Sequence, residues 1–536
     1  MKLFRRLRSH PISSALLVLG SALLPLVEAP LRAEDNSLVV KTTAGELKGK
    51  PRPGGGAEFL GIPYAQPPLG DLRWREPVAA KPWSGVRNAT AFGAPCAQPD
   101  LGDWNRHDAE NGKEDCLFLN VIVPEWPVTK PFPVMFWIHG GANEGGTASS
   151  ALYKDGTLVN HGVVLVTVNY RLGIFGFLAH PELTAESAHH SSGNYGLADE
   201  VLALNWVHDN IRNFGGDPGN ITVFGQSAGA IDTSLLMTSP LAKNLFQKAI
   251  AQSGAALTAP LLPLAAAEQA GTLVAETLNA PSGSGQIKHL RTLSAADILA
   301  ALAKARNHPR VGPDLDGWVL QHHPGAVFAS GAEARIPLLY GTTTREFGSN
   351  ASPEQLRSTI SLVAGALVPK VLAAYGLANG GHGANDPKYG TAADQWSADV
   401  TFRCPSLVQA AWHEAAGNTA YQYEFNHAIP GQEAQGAVHS AELPYVFGFY
   451  PRSGNISGNF NEVDKKLADL MEIYWTNFAK TGNPNGTGLP NWSQQDAAGP
   501  YIQFQQDGAV QPATGLRNTQ CNVYREWLTT RLQPAH

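Results

Sequence analysis

Nine consecutive residues, Ile221-Thr222-Val223-Phe224-Gly225-Gln226-Ser227-Ala228-Gly229, constrain this chain more than any other stretch. The β-branched and aromatic run Ile221 to Phe224 reads as a buried strand, and Ala230 to Met237 is compatible with a helix. Between them stands Gly-x-Ser-x-Gly, the pattern of a sharp strand-to-helix elbow carrying a nucleophilic serine. Such a turn is so tight that a side chain at Gly225 or Gly229 would collide with the neighbouring strand or helix. Ser227 Oγ would then project from the sheet edge, beside N–H groups at a helix N-terminus that can stabilise developing negative charge. A turn serine with no chemical role is the competing reading of these residues taken alone.

The 536 residues can form one large α/β domain with insertions, and 43% hydrophobic content supplies an ample core. Charged residues make up only 16%, 39 basic against 45 acidic, for a net charge of −6. That balance, without a basic run beyond the N-terminus, argues against a nucleic-acid partner and suits a neutral, partly apolar one. Lys2, Arg5, Arg6 and Arg8 precede the apolar stretch Ile12 to Val27, and Leu31-Arg32-Ala33 resembles a cleavage site. Residues 1–33 therefore read as a signal peptide and 34–536 as the mature domain, exported to a periplasm or medium, with no membrane anchor after cleavage. Pro25 interrupts the apolar stretch, which is short for a membrane span. Four cysteines in an exported chain suggest two disulfides, and of the three pairings Cys96–Cys116 with Cys404–Cys521 is the most economical.

In chain order, Leu38 to Lys48 reads as an opening hairpin, followed by strands at Phe59 to Ala65 and into Val121. Pro133 to His139 and Val163 to Tyr170 are unalternating apolar runs, which belong in a sheet covered on both faces. Gly196 to Phe214 has helical spacing and predicts an amphipathic helix packed on that sheet and ended by Gly215-Gly216. Further strands are expected at Lys248 to Ala251, Ile336 to Gly341 and Ala420 to Phe425, alternating with helical tracts at 264–278, 295–305 and 355–375. Gly376 to Gly390 reads as a surface loop, and Val463 to Ala479 as the C-terminal helix. The alternation means a large, mostly parallel sheet flanked by helices.

A serine hydroxyl needs a general base, usually histidine, and the base needs a carboxylate to fix its tautomer. Nine of the 17 histidines follow Ser227, so order alone does not select one. His439, in the loop Gly436 to Tyr445, is a candidate, and His427 is its rival. Glu346 follows the apolar strand Ile336 to Gly341 at the end where such sheets bind ligands, although a solvated glutamate would look the same. His139-Gly140-Gly141-Ala142 after a strand matches a glycine-rich loop that donates N–H groups opposite the elbow.

Together these residues resemble the type-B carboxylesterase/lipase family, which includes carboxylesterases and cholinesterases. The similarity runs from about Val39 to Trp527. It is carried by Phe59 to Ala65, Glu114 to Asn120, Trp137 to Gly141, Asn169 to Gly173, Asn194 to Leu197, Phe214 to Pro218, Phe224 to Gly229 and His439 to Gly448. The resemblance implies an α/β-hydrolase fold whose helical insertions form the pocket, and hydrolysis of small-molecule esters through an acyl-enzyme. It maps the nucleophile to Ser227, the acid to Glu346 and the base to His439, with oxyanion donors at Gly141, Ala142 and Ala228. It also supports the two disulfides above, and it implies no metal or cofactor.

The sequence departs from that family in two places near the elbow. Gln226 replaces the usual glutamate, removing a negative charge, and the glycine loop continues Ala142-Asn143, which predicts a reshaped pocket. Trp104 in the Cys96–Cys116 loop reads as a partly exposed packing residue rather than a choline platform. Two rival classes are a non-catalytic adhesion module of the same fold and a metal hydrolase using His189-His190 or His322-His323. The intact serine, glutamate and histidine argue against the first, and the lack of His-Glu-x-x-His against the second. Nothing in the residues specifies the oligomeric state.

Overall fold

The computed structural model describes residues 38–258, 261–305 and 307–532. The proposed signal peptide lies outside the described residues. Eleven strands form one sheet whose neighbours, from one edge to the other, are Val510–Thr514, Pro500–Phe504, Ala420–Phe425, Leu338–Thr343, Lys248–Gln252, Gly216–Gln226, Phe132–Ile138, Val164–Val168, Phe118–Val123, Ala57–Pro63 and Lys50–Pro51. The six pairings from Pro500–Phe504 through to Val164–Val168 are parallel and the outer four antiparallel, so the sheet is mostly parallel. The opening hairpin pairs Val39–Lys41 with Glu46–Lys48 in a separate three-stranded sheet.

The apolar runs are unalternating because both faces are covered. Along the strand before the glycine loop, Val134, Phe136 and Ile138 enter one apolar cluster while Met135 and Trp137 enter another. The elbow strand divides the same way, Ile221 and Val223 against Phe224. Each fully buried aliphatic or aromatic side chain contributes about 2 kcal/mol, and the central strands expose almost none.

Three expectations need correction. The helix after Asn194 spans Tyr195–Asn210 and is buried nearly all round, with only His208 and Asp209 exposed, rather than amphipathic. Asp199 is tolerated inside because Arg171 binds it with both Nε and Nη2, at 2.8 and 2.7 Å. The tract 355–375 is two helices, Pro353–Val363 and Val368–Ala374, interrupted where Gly365 takes φ 54°. Glu462–Thr481 is not the last helix, since the edge hairpin Pro500–Thr514 and the helix Asn518–Leu532 follow. That final helix carries Cys521, which is bonded to Cys404, and Cys96 is bonded to Cys116.

Candidate active site

Four strand ends build the site. The elbow strand ends at Gln226, and the helix Ala228–Leu236 starts two residues later. Ser227 between them has φ 57° and ψ −125°, a conformation that costs a non-glycine residue roughly 1–3 kcal/mol and persists only where its surroundings impose it. Its N–H donates to Gln252 O of the adjacent strand at 2.9 Å. A Cβ on Gly229 would lie 2.1 Å from Ile138 O, and one on Gly225 would lie 2.3 Å from Gly229 O. Both glycines are therefore fixed by backbone approach.

Opposite the elbow, the strand Phe132–Ile138 is followed, after His139 and Gly140, by three successive positive-φ residues, Gly141 at 121°, Ala142 at 59° and Asn143 at 56°. Gly140 packs on the elbow itself, where a Cβ would meet Gln226 O at 2.6 Å. Asn143 is buried with both ends of its amide engaged: its Nδ2 donates to Asp232 Oδ1 at 3.0 Å and its Oδ1 accepts from Tyr170 Oη at 3.1 Å. Its carbonyl accepts from Gly173 N–H at 2.6 Å. As first residue of its helix, Ala228 has an N–H with no intrahelical acceptor. His139, stacked on Tyr170 at 4.6 Å, is held neutral by burial, its pKa lowered to about 4.

Glu346 and His439 come from loops after two neighbouring strands, Leu338–Thr343 and Ala420–Phe425. A short parallel bridge joins the loops: Arg345 N–H donates to Ala437 O at 2.9 Å and His439 N–H to Glu346 O at 3.0 Å. Glu346 is buried at φ 43°, its Oε1 accepting from Thr343 N–H at 2.9 Å and Ser253 Oγ at 2.7 Å. Its Oε2 stands 2.5 Å from His439 Nδ1. A carboxylate there places the ring proton on Nδ1 and leaves the Nε2 lone pair free to accept. Phe347 and Phe402 flank the imidazole, with ring centroids 4.3 and 4.6 Å away. Phe402 is presented by a π-helical turn, Asp399–Arg403, of the kind that recurs at functional sites.

The imidazole Nε2 lies 3.1 Å from Gln226 Nε2, and among the described residues no hydrogen bond joins it to Ser227 Oγ. The departure from the family noted at Gln226 therefore touches the His439 imidazole directly. Ser227, Gly141, Ala142, Ala228 and His439 all line one cavity of about 1390 Å³, while Glu346 sits behind the imidazole. This exceeds the usual 300–1,000 Å³ of a ligand pocket. Trp104, Leu152, Phe347, Leu443 and Tyr450 are among its walls, and Trp104 is 43% exposed at its edge.

His427 is not part of this site. It is buried, with Nε2 2.8 Å from Asp464 Oδ1 and Nδ1 3.0 Å from Gln505 O. His189 stacks on Trp318 at 4.0 Å, and His323 caps the helix Pro324–Ala329. Among the described residues the one His/Asp/Glu trio close enough to share an ion is His161, Asp469 and Glu472, and none of them lines the cavity.

Sequence reasoning missed Ser253 and Glu442. Ser253-Gly254 follows the strand Lys248–Gln252 at the same end of the sheet as Ser227 and Glu346, which was a legible signal. Glu442, buried three residues after the imidazole, accepts from Gln252 Nε2 at 3.2 Å. Burial, reinforced by the Glu346 charge, pushes its carboxyl up to about 7.

The sequence pattern that defines the Carboxylesterase family matches residues 36–524. The chain belongs to the carboxylesterase family. Similar relatives include carboxylesterase 1E of Rattus norvegicus, 34% identical, covering 90% of this chain and 91% of that protein. Fumonisin B1 esterase of Sphingopyxis macrogoltabida is 34% identical, covering 91% and 89%. Among solved structures, a carboxylesterase of Geobacillus stearothermophilus matches with a TM-score of 0.78 at 31% identity, over 91% of this chain and all of the other. A PNB esterase matches with the same TM-score at 32% identity, over 91% and 99%. The α/β-hydrolase fold and the class of carboxylic ester hydrolase follow from family membership.

Proposed function

We propose that this carboxylesterase cleaves esters through Ser227, His439 and Glu346 by way of an acyl-enzyme. The observation that carries the reading is the 2.5 Å contact between Glu346 Oε2 and His439 Nδ1, beside a serine held in a strained elbow of the same cavity. Attack requires the His439 Nε2 bond to exchange from the Gln226 amide to Ser227 Oγ. The hydroxyl then attacks the ester carbonyl as Nε2 takes its proton, and the N–H groups of Gly141, Ala142 and Ala228 receive the oxyanion. The imidazolium returns the proton to the departing alcohol. Water repeats the sequence on the acyl-serine and releases the acid. No step requires a metal or cofactor.

The largely apolar cavity supports small-molecule, neutral esters bulky on at least one side as substrates. Two disulfides support export, since such bonds persist in oxidising compartments. Among the described residues no helix is long and apolar enough to cross a membrane. The test is p-nitrophenyl acetate hydrolysis with stoichiometric inactivation by an organophosphate. Ser227→Ala should abolish both. Full activity in that variant would refute the assignment, and an inert wild type would favour a non-catalytic module of the same fold.

A further inference from the structure

Directly behind the glycine loop lie two acids that the reaction above does not use. Glu200, from the helix Tyr195–Asn210, and Asp232, from the elbow helix Ala228–Leu236, are completely buried. Among the described residues no donor reaches Glu200 Oε1, Glu200 Oε2 or Asp232 Oδ2. The remaining oxygen, Asp232 Oδ1, holds the Asn143 amide.

Among the described residues no cation pairs with either acid. Arg171 is committed to Asp199, whose charge also bears on Glu200, and the phenol that both acids act on is Tyr170. Two facing carboxylates in a dry interior without a cation cannot both ionise, so they share a proton. Burial pushes both carboxyls up; the Asp232 and Asp199 charges raise Glu200 further, while hydrogen bonds with Asn143 and Glu200 restrain Asp232. The singly protonated pair leaves Asp232 Oδ1 a strong acceptor.

We propose that the Glu200–Asp232 pair positions the oxyanion loop: by gripping Asn143 it holds Gly141 and Ala142 in the conformation that aims their N–H groups at the cavity. Three consecutive residues at positive φ do not keep that shape unaided, and only one of them is glycine. Asn143 is the anchor, bonded through both ends of its amide and through its own carbonyl. Asp232 lies five residues beyond Ser227 on the helix that the elbow opens, so one rigid element sets both the nucleophile and the opposite wall. The inference rests on the assignment of Gly141 and Ala142 as oxyanion donors.

The experiment compares Asp232→Ala, Asp232→Asn and Glu200→Gln, each normalised to active sites counted with an organophosphate. Losing the grip on one donor should cost Asp232→Ala roughly 30- to 100-fold in kcat with KM nearly unchanged. Affinity for a trifluoromethyl ketone, which forms a tetrahedral oxyanion on the serine, should fall by a similar factor while affinity for the product acid holds. Asp232→Asn keeps an acceptor oxygen and should recover most of the rate. Glu200→Gln keeps a donor beside Asp232 but removes the charge of the pair, so it should lower kcat and ketone affinity by less than Asp232→Ala does. If Asp232→Ala lowers Tm but leaves kcat and ketone affinity unchanged, the pair is only core. If Asp232→Ala does not fold, Asn143→Ala with kcat and ketone affinity equal to wild type overturns the proposal. A wild type that the organophosphate does not inactivate would instead refute the underlying site assignment.

Discussion

Gln226→Glu tests the environment of the base. The Gln226 amide nitrogen is 3.1 Å from His439 Nε2, on the side of the ring away from Glu346. An isosteric carboxylate would put a second negative charge beside the imidazole, and a charge pair about 4 Å apart at an effective dielectric near 20 is worth about 4 kcal/mol. Gln226 is buried but lines the large cavity together with His439, so we halve that to about 2 kcal/mol, roughly 1.5 pH units at 1.36 kcal/mol each. The charge favours the imidazolium, and an imidazolium cannot accept the serine proton. The acid limb of kcat/KM should therefore move to higher pH by about 1 to 2 units. On the acid side the variant should run slower than wild type, and the two should converge at alkaline pH. A pH profile on a neutral p-nitrophenyl ester measures this, with Gln226→Leu as the uncharged control. An acid limb within about 0.3 units of wild type would refute the reasoning, because the side chain at 226 would then not face Nε2 in solution.

Two further outcomes follow from buried titratable groups. His427→Ala should lower stability by about 2 kcal/mol through the lost bonds to Asp464 and Gln505 yet keep kcat within a fewfold, whereas His439→Ala should lose at least about a thousandfold; denaturant melts and rates on both variants decide it. Glu442, raised to about 7 chiefly by burial, is favoured as the neutral acid in the fold, so its contribution is complete below about pH 4.5 and is lost as pH rises towards 7. That loss amounts to at most about 3 kcal/mol. Glu442→Gln should reduce the fall in unfolding free energy between pH 5 and pH 8, and an unchanged fall would show that Glu442 is solvated.

The elbow, the strand before the glycine loop and the parallel sheet were legible in the residues because each is a local pattern. Gly225 and Gly229 announce a close backbone approach, and runs such as Val134 to Ile138 announce burial on both faces. The choice between His427 and His439 was not local. Both follow the same strand and both face a carboxylate, and only packing sends one to Asp464 and the other to Glu346. The same holds for Glu200: its helix looked amphipathic because a sequence cannot show that an acid finds another acid, rather than water, on its outer face. Periodicity also hid the break at Gly365 and the final helix, whose short apolar stripes bury only Cys521 and Leu528. Chain order thus decided which chemistry is possible, through residue types that tolerate one backbone shape or one environment. Tertiary structure decided which imidazole meets which carboxylate and which amide, because a contact between residues 93 or 213 positions apart depends on how the loops pack at the sheet's end.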